Sequence, residues 1–134
     1  MVLTWLTKYR DLGLLLLRIG LGVMFFLHGW PKLAGGPDKW VAVGSAMSAV
    51  GITFLPVFWG FMAAFAETVG AVLLVLGFLF RPACILLTIT MAVATTMHYK
   101  AGEGFSGWSH AAELGIVFLS LILIGAGRFS VDRS

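Results

Sequence analysis

The stretch LGLLLLRIGLGVMFFL, residues 12–27, decides the fold. One arginine is its only charged residue, and the sequence HGWP at positions 28–31 closes it. A helix needs about 20 apolar residues to cross the hydrocarbon core of a bilayer, so this run, taken to residue 30, reads as a membrane span. Working outward, three further runs are bounded by breaking residues. The second opens at Pro56, where a proline suits the first turn of a helix, and extends to Phe80. Arg81 and Pro82 then form a very short turn, which makes the second and third helices antiparallel neighbours. The third run covers residues 82–99 and the fourth residues 109–126. The whole chain is 134 residues, 60% apolar and 11% Asp, Glu, Lys or Arg, against about a quarter charged in soluble domains. That composition fits about four spans with little remainder. The expected fold is an all-α membrane protein, a bundle of four transmembrane helices in one domain spanning residues 1–134.

Several function classes drop out at once. The segments between runs are too short to bury an independent soluble core. Nine basic residues against six acidic ones leave a formal charge of +3 with no basic run, so nucleic-acid binding is not expected. One cysteine excludes an internal disulfide and a cysteine-only metal site, and Cys84 reads as a small buried packing residue. Lys8 and Arg10 precede the first run, but the run is long for a signal-peptide core and lacks an Ala-x-Ala exit, so it is expected to be retained.

Between the first two spans, GGPDKWVAVGSAMSAVGITFL at positions 35–55 has intermediate polarity. Asp38 can cap a short helix from Lys39 to about Val50, with Trp40 and Met47 as apolar contacts. It is too short and too polar to cross, so it reads as an interfacial helix on the membrane. With four spans, Lys8, Arg10, Arg81, Arg128 and Arg133 share one side, and Lys32, Lys39 and Lys100 the other. This bias favours cytoplasmic termini. Trp30, Trp40, Trp59, Tyr99 and Trp108 then lie at the outer interface, with Trp5 and Tyr9 at the inner one. The pairs Gly60/Ala64, Ala66/Gly70 and Ala111/Gly115, four residues apart, let helices approach closely in lipid.

The chemistry rests on polar residues that a membrane rejects. An ionisable group inside a span costs about 2.5 to 3.5 kcal/mol or more and usually marks a site or pathway. If the first helix ends at His28, Arg18 lies about 15 Å below its outer end, and Glu67 lies about 16 Å below Pro56. Equal depth leads to the expectation that Arg18 and Glu67 pair. At about 100° per residue, Arg18, Phe25, His28 and Lys32 share one side of the first helix if it continues past Pro31. Cys84, Thr88, Met91, Thr95 and His98 form a stripe on the third helix, and His110 and Glu113 share a face of the fourth. These groups suggest an enclosed polar patch in the outer half of the bundle. It would suit the head group of a quinone or similar aromatic whose apolar body lies among the helices. Histidine and carboxylate neighbours can exchange protons near neutral pH. Haem or a metal fits less well, because His28, His98 and His110 come from different helices without a compact ligand spacing.

The chain resembles the DoxX family over nearly its whole length. The resemblance rests on LLLRIGLGVMFFLHGWPKL at positions 15–33, the GIT-x-L-P turn at Gly51 to Pro56, FAETVGAVLLVLGFLFRPA at positions 65–83 and the GAGRFSVD tail at positions 125–132. It implies a four-helix bacterial inner-membrane protein, multi-pass, related to the membrane subunit of thiosulfate:quinone oxidoreductase and to proteins of quinone, catechol or thiol stress that work beside a soluble redox partner. Arg18, His28, Lys32 and Glu67 match the family pattern; His98 and Glu113 match less closely, and His110 is added from spacing alone. The chain lacks the extra domain or cysteine pair of a self-contained thiol oxidoreductase.

The leading expectation is an oxidoreductase component, a membrane subunit of a redox system that binds a quinone-like aromatic. Glu67, His98 and Glu113 are its candidate catalytic residues, and Arg18, His28, Lys32 and His110 its ligand-binding ones, with the lipid bilayer, a soluble redox partner and a second copy of the chain as candidate partners. Two rivals come from other classes. One is a small proton-coupled exporter, a homo-oligomer using Glu67 as its coupling carboxylate. The other is an assembly subunit whose polar core only fixes helix packing.

Overall fold

The computed structural model describes residues 2–133, and among these the secondary structure is wholly helical. A 3-10 turn at Thr4–Tyr9 leads into α1 (Arg10–Ala34). Next come α2 (Pro37–Gly44), a second 3-10 turn (Ser45–Val50), α3 (Pro56–Leu76), α4 (Phe80–Lys100) and α5 (Phe105–Ile124). Four helices are long and apolar enough to cross a membrane, and they are α1 with its leading turn, α3, α4 and α5.

Several boundaries differ from the sequence expectation, and three of them have a clear local reason. Helix α1 does not stop at residues 28–31 but runs through Pro31 to Ala34; proline deletes one backbone donor, a loss a helix inside a membrane bundle can tolerate. Helix α3 ends at Leu76 rather than Phe80. Gly77, at φ 66°, closes it, with Gly77 N–H donating to Leu74 and Phe78 N–H to Leu73, the paired bonds of a glycine C-cap. The residues expected to form the turn, Arg81 and Pro82, therefore sit in the first turn of α4. Asp132 makes that start possible: its carboxylate accepts from the N–H groups of Leu79 (3.1 Å) and Phe80 (2.8 Å), two donors that would otherwise be orphaned.

The bundle is two tight hairpins joined side to side. Helix α1 lies along α3, α5 lies along α4, and α3 meets α4. In the first hairpin the contact is made by glycines. A Cβ at Gly22 would overlap Val75, and one at Gly29 would press on Glu67 Cβ and Thr68. This sets the antiparallel register. The second hairpin closes over Cys84, Leu87 and Met91 facing Ala111, Phe118 and Leu121, all buried. Phe25 and Phe118 meet edge to face, ring centroids 5.1 Å apart, and so bridge α1 and α5. The tail folds back beneath the bundle, where Val131 N–H donates to Leu76 and Asp132 N–H to Gly77.

The segment expected as a helix on the membrane surface is helical and mostly exposed, with only Gly44 buried, and one side of it packs closely on α3. A Cβ at Gly60 would overlap the Trp40 carbonyl, and one at Gly44 the Pro56 carbonyl, so α2 and α3 touch backbone to backbone. Trp40 packs edge-on against Phe61 at 5.0 Å and donates its indole N–H to Leu33. The following 3-10 turn rests against α4.

Candidate functional site

That wedge leaves a cavity of about 500 Å³ between α3, α4 and the segment 42–47. Its polar end is an ion pair. Lys32 Nζ lies 3.1 and 3.2 Å from the two carboxylate oxygens of Glu67. The Glu67 side chain is only 7% exposed and that of Lys32 33%. Glu67 is the twelfth of 21 residues in α3, which is close to mid-span. Two-point donation by a lysine to a carboxylate repays part of the cost of taking both charges out of water.

Most of the remaining wall is apolar and soft. Met47, Met62 and Met97 line it together with Ala63, Val93 and Trp59, and methionine adapts its shape to what it meets. Met62 on α3 and Leu86 and Ile89 on α4 both line the cavity and face outward, so the cavity opens sideways toward the bilayer. Along α4 it extends from Leu86 to His98, about 18 Å of helix. His98 stands at the outer end, with Nδ1 2.7 Å from Glu103 Oε2. Trp59 also lines the cavity, and its indole Nε1 is buried without a hydrogen-bond partner. A wholly apolar groove of about 240 Å³ between α1 and α3 offers no polar side chain.

The structure thus brings together three of the seven residues singled out in the sequence, Lys32, Glu67 and His98. Arg18 is a correction: it does not pair with Glu67. Gly29 lies level with Glu67, and Arg18 is eleven residues further along α1, about 16 Å deeper. The depths do not match because α1 continues beyond residues 28–31 to Ala34. Arg18 is fully buried at the inner end, donating to the carbonyls of Leu74 (3.4 Å), Val75 (3.3 Å) and Phe129. There it caps the last turn of α3, where a cation is favoured, and ties the tail to the bundle. A Cβ at Gly77 would collide with its guanidinium.

His28, His110 and Glu113 face outward and do not line the cavity. The stripe on α4 is also corrected. Cys84 and Met91 are buried, and Thr88 and Thr95 return their hydroxyls to the Cys84 and Met91 carbonyls at 2.7 Å, so only His98 of that set reaches the cavity. Trp59, expected at the outer interface, lines the cavity instead of serving only as an anchor, a role with no signature in sequence. Among the described residues no three of His, Cys, Asp and Glu converge on a point where a metal ion would sit.

Four apolar helices around a mid-depth ion pair, with a cavity open to the bilayer side, define an integral, multi-pass membrane protein. The DoxX family model matches residues 13–100, and the chain belongs to the DoxX family. An uncharacterized protein of Haemophilus influenzae is 35% identical over 134 residues, covering 96% of this chain and 94% of that protein. The Escherichia coli inner membrane proteins YqjF and YphA are each 29% identical. Each alignment covers 94% of this chain, with 94% of YqjF and 96% of YphA. The likeness is end to end, and the inner membrane is the setting it gives. No solved structure matches the chain.

Proposed function

We propose that this protein is the membrane component of a redox system and binds a quinone or quinone-like aromatic in the cavity between α3 and α4. The observation that carries this reading is the Lys32–Glu67 pair, set at the deep end of an apolar cavity that opens toward lipid. A quinone has that polarity: carbonyl oxygens on a ring, and a body that partitions into the bilayer. The volume lies in the range of small-molecule sites, about 300 to 1,000 Å³. Lys32 supplies a cationic donor for a ring oxygen, and Glu67 a carboxylate to take or return its proton. His98, held by Glu103, stands where a proton would leave toward the outer surface. Electrons come from a partner protein, in line with the absence of a cysteine pair in the sequence.

The test is binding of a short-chain ubiquinone analogue to purified protein in detergent, followed by quenching of tryptophan fluorescence. Ala63 lines the cavity and is only half-buried, so Ala63→Phe fills the space while leaving the ion pair in place. Affinity should fall at least tenfold with an unchanged melting temperature. Equal affinity in the variant sinks the proposal, and proton flux into liposomes that needs Glu67 but no quinone would favour the exporter instead.

A further inference from the structure

Around the cavity between α3 and α4, the polar side chains Lys32, Ser45, Glu67, Thr90 and His98 offer it mainly lone pairs rather than protons. The Ser45 hydroxyl donates to the Ala42 carbonyl at 2.7 Å and the Thr90 hydroxyl to the Leu86 carbonyl at 2.8 Å. Each spends its single O–H on nearby backbone, and each Oγ keeps acceptor capacity. His98 commits Nδ1 to Glu103 at 2.7 Å, which leaves Nε2 of the neutral ring an acceptor. The indole nitrogen of Trp59 is itself buried, so it presents no donor to the space. Lys32 is the remaining donor. It already reaches both oxygens of Glu67, at 3.1 and 3.2 Å, which leaves one N–H of its three.

Two of the acceptors lie at one depth. A Cβ at Gly70 would rest 3.4 Å from Leu87, so these residues are about level. Three residues outward along each of the antiparallel helices, Glu67 comes level with Thr90. His98 is eight residues further out, about 12 Å, beyond the reach of a ring seated at Glu67. Such a ring meets one N–H, from Lys32, and two acceptors, the Glu67 carboxylate and Thr90 Oγ. A quinone carbonyl can only accept, so beside them it sets lone pair against lone pair and leaves desolvated acceptors without donors. A quinol hydroxyl does both, accepting the Lys32 N–H and donating to Glu67 or Thr90. Resting on the quinone-type site proposed above, we infer that the cavity selects the reduced ligand, the quinol, over the quinone, with Thr90 beside Glu67 as a specificity-determining residue.

Isothermal titration calorimetry of the purified protein in detergent, without oxygen, tests this with a short-chain ubiquinone analogue and its quinol. The quinol should bind about tenfold more tightly or better, because a site built to hydrogen-bond a hydroxyl rejects a ligand that lacks it. Thr90→Val keeps the side-chain shape and gives up only a hydrogen bond within its own helix. Quinol affinity should then fall about fivefold while quinone affinity holds; a packing role for Thr90 would weaken both alike. The inference is overturned if the two forms bind wild type equally, or if Thr90→Val weakens both alike or leaves the preference intact. Equal binding that Ala63→Phe abolishes overturns the selectivity alone and leaves the cavity a quinone site. Binding of neither form overturns both.

Discussion

At the scale of single residues, the question is whether Lys32 and Glu67 serve binding or only helix docking. Removing one member of a buried ion pair leaves the other uncompensated, at about 3 to 5 kcal/mol for a fully buried pair. With a third of the Lys32 side chain exposed, about 1 to 3 kcal/mol is the expectation for Glu67→Gln. Replacing both by apolar residues of similar size removes the imbalance. Lys32→Met with Glu67→Met should therefore melt near the wild-type temperature while losing quinone affinity at least tenfold, by thermal melting in detergent and fluorescence titration. A double variant that binds normally would leave the pair a purely structural role. The ionisable residues also show how far the sequence could be read. That they must be paired or capped follows from the cost of charge in lipid. Which partner each takes depends on register, and register is set by Gly22 and Gly29, two residues without side chains whose importance lies in what they allow α3 to do. Arg18 carries a site-like signal for the same energetic reason as Glu67, yet its partners are three carbonyl oxygens, which no pattern of charged residues reveals.

At the scale of elements, the cavity exists because α2 lies so close to α3 that neither backbone has room for a side chain at the crossing. Gly60→Val would drive a branched side chain into the Trp40 carbonyl, lift α2 from α3 and open the cavity. Quinone affinity should fall at least tenfold with a clear drop in melting temperature. Gly20 has open space where a Cβ would be, so Gly20→Ala, within the same membrane protein, should leave binding untouched and raise helix stability by about 0.5 to 1 kcal/mol. If both variants behave alike, the Gly60 crossing is not what shapes the site. The four spans and the extra helix between the first two follow from apolar run length and proline position alone. The close seating of that extra helix on α3 does not, because the signal is a pair of glycines, Gly44 and Gly60, that look like ordinary flexibility or ordinary small-residue packing. Helix ends shifted where Pro31 was passed over and where Gly77 and the distant Asp132 decided the turn.

At the scale of the whole molecule, the inner and outer halves divide the work. The inner half is sealed: Arg18 and Asp132 draw the tail onto the ends of α3 and α4, and the aromatic contact of Phe25 with Phe118 closes the bundle between α1 and α5. The outer half is held open by α2 and the turn after it, and there the ion pair and His98 face one space reachable from the bilayer. Such a division suits a protein that takes a lipid-soluble ligand from the membrane and passes protons on one side only. Photolabelling with an azido-quinone in native membranes, followed by mass spectrometry of the labelled peptides, tests this most directly. The account predicts label on α3 around Ala63 and on α4 between Leu86 and His98, competed by excess unlabelled quinone and lost in Ala63→Phe. Label spread evenly over the outward faces of all four spans, or unaffected by Ala63→Phe, would contradict it.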